Sequence, residues 1–213
     1  MNTNRELEKY ILAHTEKEDD ILTELERETF LHVLNPRMVS GHLQGKILEM
    51  LSRMIAPECI LEIGTFTGYS AICLSKGLGR GGTLHSIEID DELESIAKKY
   101  IDKAGLSETV TLHTGDALQI IPGLRDTFDL VFIDGNKRQY CEYFDLVFDK
   151  VKPGGYIFAD NILWNGKVVE EVSSKDGQTT SILRFNEKIK NDNRVSQVIL
   201  PLRDGLMLIR KKQ

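Results

Sequence analysis

The chain has no long apolar run, no excess of positive charge and few cysteines. A bilayer-spanning helix needs roughly 20 consecutive apolar residues. No segment of the 213 residues approaches that, although a 41% hydrophobic fraction is enough for a buried core. Met1 to Glu8 are polar and charged, which argues against a secretory signal. The formal net charge is −6, the wrong sign for a general nucleic-acid coat. Cys59, Cys73 and Cys141 are odd in number and show no C-x-x-C spacing. They are expected to be reduced, buried thiols of a cytoplasmic protein. His14, His32, His42, His85 and His113 show no ligand spacing and are expected to be structural or surface residues. No repeat, low-complexity tract or linker interrupts the chain, so residues 1–213 are expected to form one domain.

A further lack lies in the most informative stretch, Cys59 to Ser70. Ile60, Leu61 and Ile63 read as a short buried strand, Gly64 and Gly68 frame a tight turn, and Tyr69 can open a helix. A dinucleotide fingerprint would place three glycines against a pyrophosphate. This turn has two, and a carboxylate, Glu62, at the strand end. Such a turn suits a ligand without phosphates, and S-adenosylmethionine, with its sulfonium, ammonium and ribose hydroxyls, is one.

Helical spacing dominates the first fifty-odd residues. Leu7, Tyr10 and Ile11 share a face, as do Ile21, Leu22 and Leu25, and Ile47, Leu48, Leu51, Met54 and Ile55 recur before Pro57. From Ile60 onward strands alternate with helices. Strands are predicted at Ile60 to Ile63, Thr83 to Ile89, Val110 to Thr114, Phe128 to Ile133 and Tyr156 to Ala159. The clearest helix runs from Asp91 to Ala104, with Gly105 as its stop. Alternation of this kind predicts an α/β fold with a mostly parallel sheet covered on both faces. Val195 to Leu200 and Leu206 to Arg210 flank a short turn and read as a hairpin, so the seventh and last strand should run antiparallel. Residues 1–56 would form a helical cap over a Rossmann-like core, residues 57–213.

Ligands of open α/β sheets sit beyond the carboxyl ends of the strands. Glu88, ending the second strand, is placed to accept hydrogen bonds from ribose hydroxyls, although a dinucleotide site would use the same acid. Asp116, after the third strand, either caps the next turn or meets an adenine amino group. If the fourth and fifth strands are neighbours, Asp134, Asp160 and Asn161 converge at the rim. Two carboxylates and an amide oxygen are a hard-oxygen set suited to Mg²⁺ or Ca²⁺. With no histidine or cysteine beside them, a closed zinc site is not expected there.

These residues carry a resemblance. Leu-Glu-Ile-Gly-Thr-Phe-Thr-Gly-Tyr-Ser, Ile-Glu-Ile-Asp, Phe-Ile-Asp-Gly-Asn-Lys and Ala-Asp-Asn-Ile-Leu-Trp-Asn-Gly together are similar to the cation-dependent O-methyltransferases of the catechol and caffeoyl-coenzyme A type. Lys-Pro-Gly-Gly at Lys152 to Gly155, Arg184-Phe185-Asn186 and Pro201 to Leu206 extend the likeness over nearly the whole chain from Met38. The resemblance implies a Rossmann-like class I methyltransferase fold, S-adenosylmethionine as donor, a divalent cation (Mg²⁺, Ca²⁺ or Mn²⁺) and a homodimer. By it, Asp134, Asp160 and Asn161 match the metal ligands and Lys137 the catalytic lysine. Glu62, Gly64, Phe66, Ser70, Glu88, Ile89, Asp116, Ala117 and Asp134 match positions around the cofactor, and Met38 and Ser40 the segment closing over its methionine end. Gly135-Asn136 departs from the family's usual residues after the aspartate, which leaves the acceptor wall less predictable.

The expected reaction is methyl transfer to a hydroxyl of a catechol-like or phenylpropanoid small molecule, without membrane partners. The alternative is methylation of a wobble-position 5-hydroxyuridine in tRNA, with Arg37, Lys137, Arg138, Lys167, Lys175 and Arg184 around the pocket. A nicotinamide-dependent oxidoreductase is disfavoured by the missing third glycine and by the Asp160-Asn161 pair.

Overall fold

The computed structural model describes residues 5–173 and 175–213; residues 1–4, the start of the charged N-terminal stretch, lie outside the described residues. Seven strands form one sheet: β1 (Cys59–Ile63), β2 (Thr83–Glu88), β3 (Val110–Thr114), β4 (Phe128–Ile133), β5 (Val151–Ala159), β6 (Val195–Leu200) and β7 (Leu206–Lys211). Their order is β3-β2-β1-β4-β5-β7-β6. The first five run parallel, and β7 lies antiparallel to both β5 and β6. The reversed last strand thus inserts between β5 and β6 as the expected hairpin.

All five residues of β1 are buried, with no in–out alternation. That is the signature of a central parallel strand covered on both faces. One covering layer holds α2 (Asp20–His32), α3 (His42–Ile55), α4 (Tyr69–Ser75) and α5 (Glu94–Lys103), which pack Leu25, Leu48, Ile72 and Tyr100 onto the sheet. The other holds the single turn α6 (Ala117–Ile120), α7 (Tyr140–Phe148) and α8 (Gly177–Lys190), which contribute Tyr140, Phe144, Ile182 and Phe185. Each such large side chain, fully buried, contributes about 1.5–3 kcal/mol.

Apart from one-residue shifts at strand ends, two element boundaries and one helix face differ from the sequence reading. Strand β5 begins at Val151, ahead of the expected Tyr156, and takes in Lys-Pro-Gly-Gly. A register shift against β4 between Phe128 and Leu130 accommodates Pro153, which has no N–H for the ladder. The helix expected from Asp91 starts as a 3-10 turn, Asp91–Leu93, capped by the Asp90 carboxylate, before α5 proper. The third difference is at the N-terminus. In α1 (Arg5–Ala13) the expected apolar face is turned outward, with Leu7 52% and Tyr10 60% exposed, so α1 adds nothing to the core.

Candidate active site

The rim is built by continuing the sheet's hydrogen bonds one residue beyond the strands. Gly64 N–H donates to Ile87 O (2.9 Å), Asp134 N–H to Ile63 O (2.8 Å) and Asp160 N–H to Ile133 O (3.0 Å). Ile133 and Ala159 are register partners, so the next residues, Asp134 and Asp160, stand side by side at the ends of adjacent strands. Gly64 is required by this closeness: its φ is +103°, and a Cβ there would lie 2.5 Å from the backbone oxygen of Asp134.

Asp160 is buried. Its Oδ2 accepts from Gln44 Nε2 (2.6 Å) and its Oδ1 from the Asn161 backbone N–H (2.8 Å). Asp134 Oδ1 accepts from Lys137 Nζ (2.6 Å), which also donates to the Tyr140 hydroxyl (2.6 Å). Tyr140 Oη in turn donates to the Asp160 backbone oxygen (3.0 Å). Lys137 is therefore pinned in the floor, 9% exposed, by the two strand ends. Burial pushes the Asp134 carboxyl up to about 6, with the Asp160 charge adding and Lys137 opposing.

Glu88 is held by three backbone donors: Phe66 N–H at 2.7 Å, Ile89 N–H at 2.9 Å and Asp90 N–H at 3.0 Å. Its carboxylate is fixed before any ligand arrives. Asp116 caps α6 through the Leu118 N–H (2.9 Å) and also faces the cleft, so capping and ligand contact are not exclusive. Backbone strain gathers here. Phe66, Asn161, Trp164 and Arg203 have φ of 50°, 57°, 48° and 46°, and all four line the cleft. Left-handed backbone at bulky residues is uncommon and concentrates where a ligand must be met.

The cleft has a volume of about 640 Å³. Met38, Gly64, Phe66, Glu88, Ile89, Asp116, Ala117, Asp134, Lys137, Asp160 and Asn161 line it together. Ser40, Glu62 and Ser70 are buried behind that lining. Glu62 has no exposed surface, takes a hydrogen bond from Ser86 on one oxygen and has no partner on the other. Burial pushes its carboxyl up to about 8 against the Ser70 and Ser86 hydroxyls.

Sequence reasoning missed Gln44, Arg203 and Asp204. Arg203 Nη1 donates to Val39 O (3.1 Å), to Ser40 O and to Gln44 Oε1 (2.8 Å). Gln44 thus relays the β6–β7 turn to Asp160. Asp204 lines the cleft and accepts from the Asn165 N–H. The available signal was the pair of opposite charges in the turn before Gly205. Nothing in the linear order pointed that turn at residues 39–44.

Both implied ligands fit these residues. The donors around Asp134, Asp160 and Asn161 are all oxygens, and the Asp160 charge adds to the burial that raises the Asp134 carboxyl, as a site built for a hard dication would. The Gly64 turn and the fixed Glu88 carboxylate form a cradle with a polar end for a ribose.

Strand order, reversed β7 and a cleft at the carboxyl ends define the Rossmann-like class I methyltransferase fold. Residues 12–212 match the family model described as O-methyltransferase, and the chain belongs to that family. It is an S-adenosylmethionine-dependent O-methyltransferase. It is 37% identical to the catechol O-methyltransferase of Niastella koreensis over 75% of this chain and 73% of the relative. It is 32% identical to caffeoyl-CoA O-methyltransferase 2 of Eucalyptus globulus over 96% of this chain and 88% of the relative. The crystal structure of the Bacillus cereus O-methyltransferase in complex with SAH superposes with a TM-score of 0.90 at 31% identity, covering 97% of each chain.

Proposed function

We propose that the chain methylates one hydroxyl of a vicinal diol on a small aromatic acceptor, with a divalent cation held by Asp134, Asp160 and Asn161. The observation that carries this is the pairing of Asp134 and Asp160 at adjacent strand ends, with Lys137 Nζ 2.6 Å from Asp134, in the cleft that also contains Glu88. Relatives named for catechol and caffeoyl-CoA support the acceptor class.

A phenol ionises near pH 10, so reaching its anion at pH 7 asks for about 4 kcal/mol. A bound dication would supply much of that by stabilising the oxyanion. The chain's own residues do the rest. Glu88 and the Gly64 turn bind the donor's ribose and backbone side, and Met38 and Ser40 cover its methionine end. Lys137, as the neutral amine, takes the acceptor's hydroxyl proton on Nζ and is left as the ammonium that Asp134 and Tyr140 hold. Its two fixed partners, Asp134 and Tyr140, keep it from swinging out of the floor. Trp164 and Gln178 wall the acceptor side. Rigid positioning of this kind is what in-line methyl transfer needs most.

The tRNA reading draws less support. Of its basic ring, Lys137 is paired with Asp134 and Lys167 with Asp176, which leaves less free positive charge at the mouth. Exposed Leu31, Leu34 and Met54 offer apolar surface to a second copy in a homodimer. Labelled methyl donor, offered with 3,4-dihydroxyphenyl acids beside bulk tRNA, tests the proposal. Label should enter the diol and stop with EDTA. Label in tRNA alone, or transfer unaffected by EDTA, would overturn it.

A further inference from the structure

The opposite end of the sheet holds a second group of metal-ligating side chains. Cys59 opens β1, His85 lies on β2, and Asp126 sits in the loop just before β4. Leu61 and His85 are register partners, so Cys59, two residues before Leu61, faces the same side of the sheet as the imidazole. One donor atom from each of Cys59, His85 and Asp126 falls within 4.8 Å of the others. His85 Nε2 stands 3.6 Å from Asp126 Oδ2. From Cys59 to the Gly64 turn is five strand steps, about 17 Å, so this cluster is remote from the methyl-transfer cleft.

We propose that Cys59, His85 and Asp126 form a zinc-type divalent cation site, with His113 as the positioning residue for His85. Three features support this. The donors are a sulfur, an imidazole nitrogen and a carboxylate oxygen, a borderline-soft set that favours Zn²⁺ over the Mg²⁺ preferred by oxygen-only rims. Tetrahedral zinc with bonds of about 2.0–2.3 Å puts its ligand atoms roughly 3.3–3.8 Å apart, and the movable member is in the right place for closure. Asp126 is half-exposed in a loop, whereas Cys59 and His85 are fixed on strands.

The third feature is the outer shell. His85 Nδ1 lies 3.0 Å from His113 Nε2 on the next strand. With Nε2 turned to the metal, Nδ1 carries the proton and donates it to His113. Ligating histidines commonly fix their tautomer through such a partner. The five histidines show no ligand spacing along the chain because the sheet, not the sequence, brings these two together.

Cobalt(II) titration of the full chain under excess Mg²⁺ tests the site, since Mg²⁺ occupies the oxygen-lined rim and cobalt bound to thiolate gives a near-ultraviolet charge-transfer band. The band should saturate at one equivalent and be bleached by Zn²⁺. Cys59→Ser should abolish it and Asp160→Ala should leave it intact. Asp126→Asn, at an exposed loop position that does not endanger folding, should weaken cobalt affinity at least tenfold. His113→Ala should weaken it by about 10–100-fold without removing the band. Absence of the band in the folded wild type overturns the proposal. So does its survival in Cys59→Ser, which would move the thiolate to Cys73 or Cys141, or an unchanged affinity in Asp126→Asn. None of these readouts depends on methyl transfer.

Discussion

Carboxylates occur in two settings in this molecule. At the junction of α2 with α5, Glu28 accepts from Lys99 Nζ (2.5 Å) and from the Tyr100 hydroxyl (2.6 Å). These partners lower its proton affinity, led by the Lys99 bond. At the sheet rim, Glu62 is buried and Asp134 half-buried, and loss of surrounding water raises theirs to about 8 and about 6. The same chemical group is stabilised in one region and held against its preference in the other. Surface pairs of the first kind contribute little, about 0–1 kcal/mol. Buried acids of the second kind cost stability when charged, and a fold tolerates them where the charge has a use.

Removing one rim acid should have the largest effect. Asp160→Ala is expected to lower turnover by about 10³-fold, given that a Lewis-acid contribution of several kcal/mol depends on it. Binding of SAH, followed by calorimetry, should be nearly unchanged; unchanged turnover would take Asp160 out of the chemistry. Lys137→Ala should lower kcat by roughly 10²-fold, the lower end for a positioned proton acceptor. Steady-state kinetics should locate the loss in kcat rather than in the KM for the donor, and the opposite split would reassign the lysine to binding.

A smaller effect separates the two settings through pH. The pKa of Glu62, about 8 folded against the ordinary 4.5, means the folded state keeps a proton that the unfolded chain has shed. Its contribution to stability is whole below the unfolded pKa and is lost as pH rises through the folded one. Between pH 5 and pH 7.5, urea midpoints should therefore report a loss of about 2–3 kcal/mol from this group. Glu62→Gln should flatten that part of the profile, and an identical slope in the variant would show that Glu62 is ionised throughout. The smallest change is expected at the surface. Lys99→Ala leaves Glu28 bonded to Tyr100, and stability should shift by no more than about 0.5 kcal/mol. A larger loss would erase the contrast between rim and surface.

The strands and the rim acids were legible because parallel strands announce themselves as short apolar runs, each ending in a residue that lines the cleft: Ile63-Gly64, Glu88, Ile133-Asp134, Ala159-Asp160. Alternation and the final hairpin pointed to the parallel class and the reversed last strand, while the strand order, and with it the adjacency of β4 and β5, came from the structure. What the linear order hid is contact across long separations. Gln44 meets Asp160, Arg203 meets Val39 and Ser40, and His85 meets His113. Helical spacing also overstated α1, because periodicity records that a face is apolar and says nothing of what covers it. Strand β5 was cut short for a related reason: proline and glycine normally punctuate, and only the partner's register shift lets them remain in the ladder.

The β6–β7 turn sets an order of assembly. Arg203, ten residues from the end of the chain, reaches back some 160 positions to fasten the backbone at Val39 and Ser40 and the amide of Gln44. During synthesis the glycine turn and the first carboxylates emerge before this turn, so residues 39–44 gain the Arg203 contacts only after the strands beneath them have been made. A chain clipped ahead of Arg203 would keep the five parallel strands and still lack these three contacts, so the fastening of residues 39–44 depends on the β6–β7 turn.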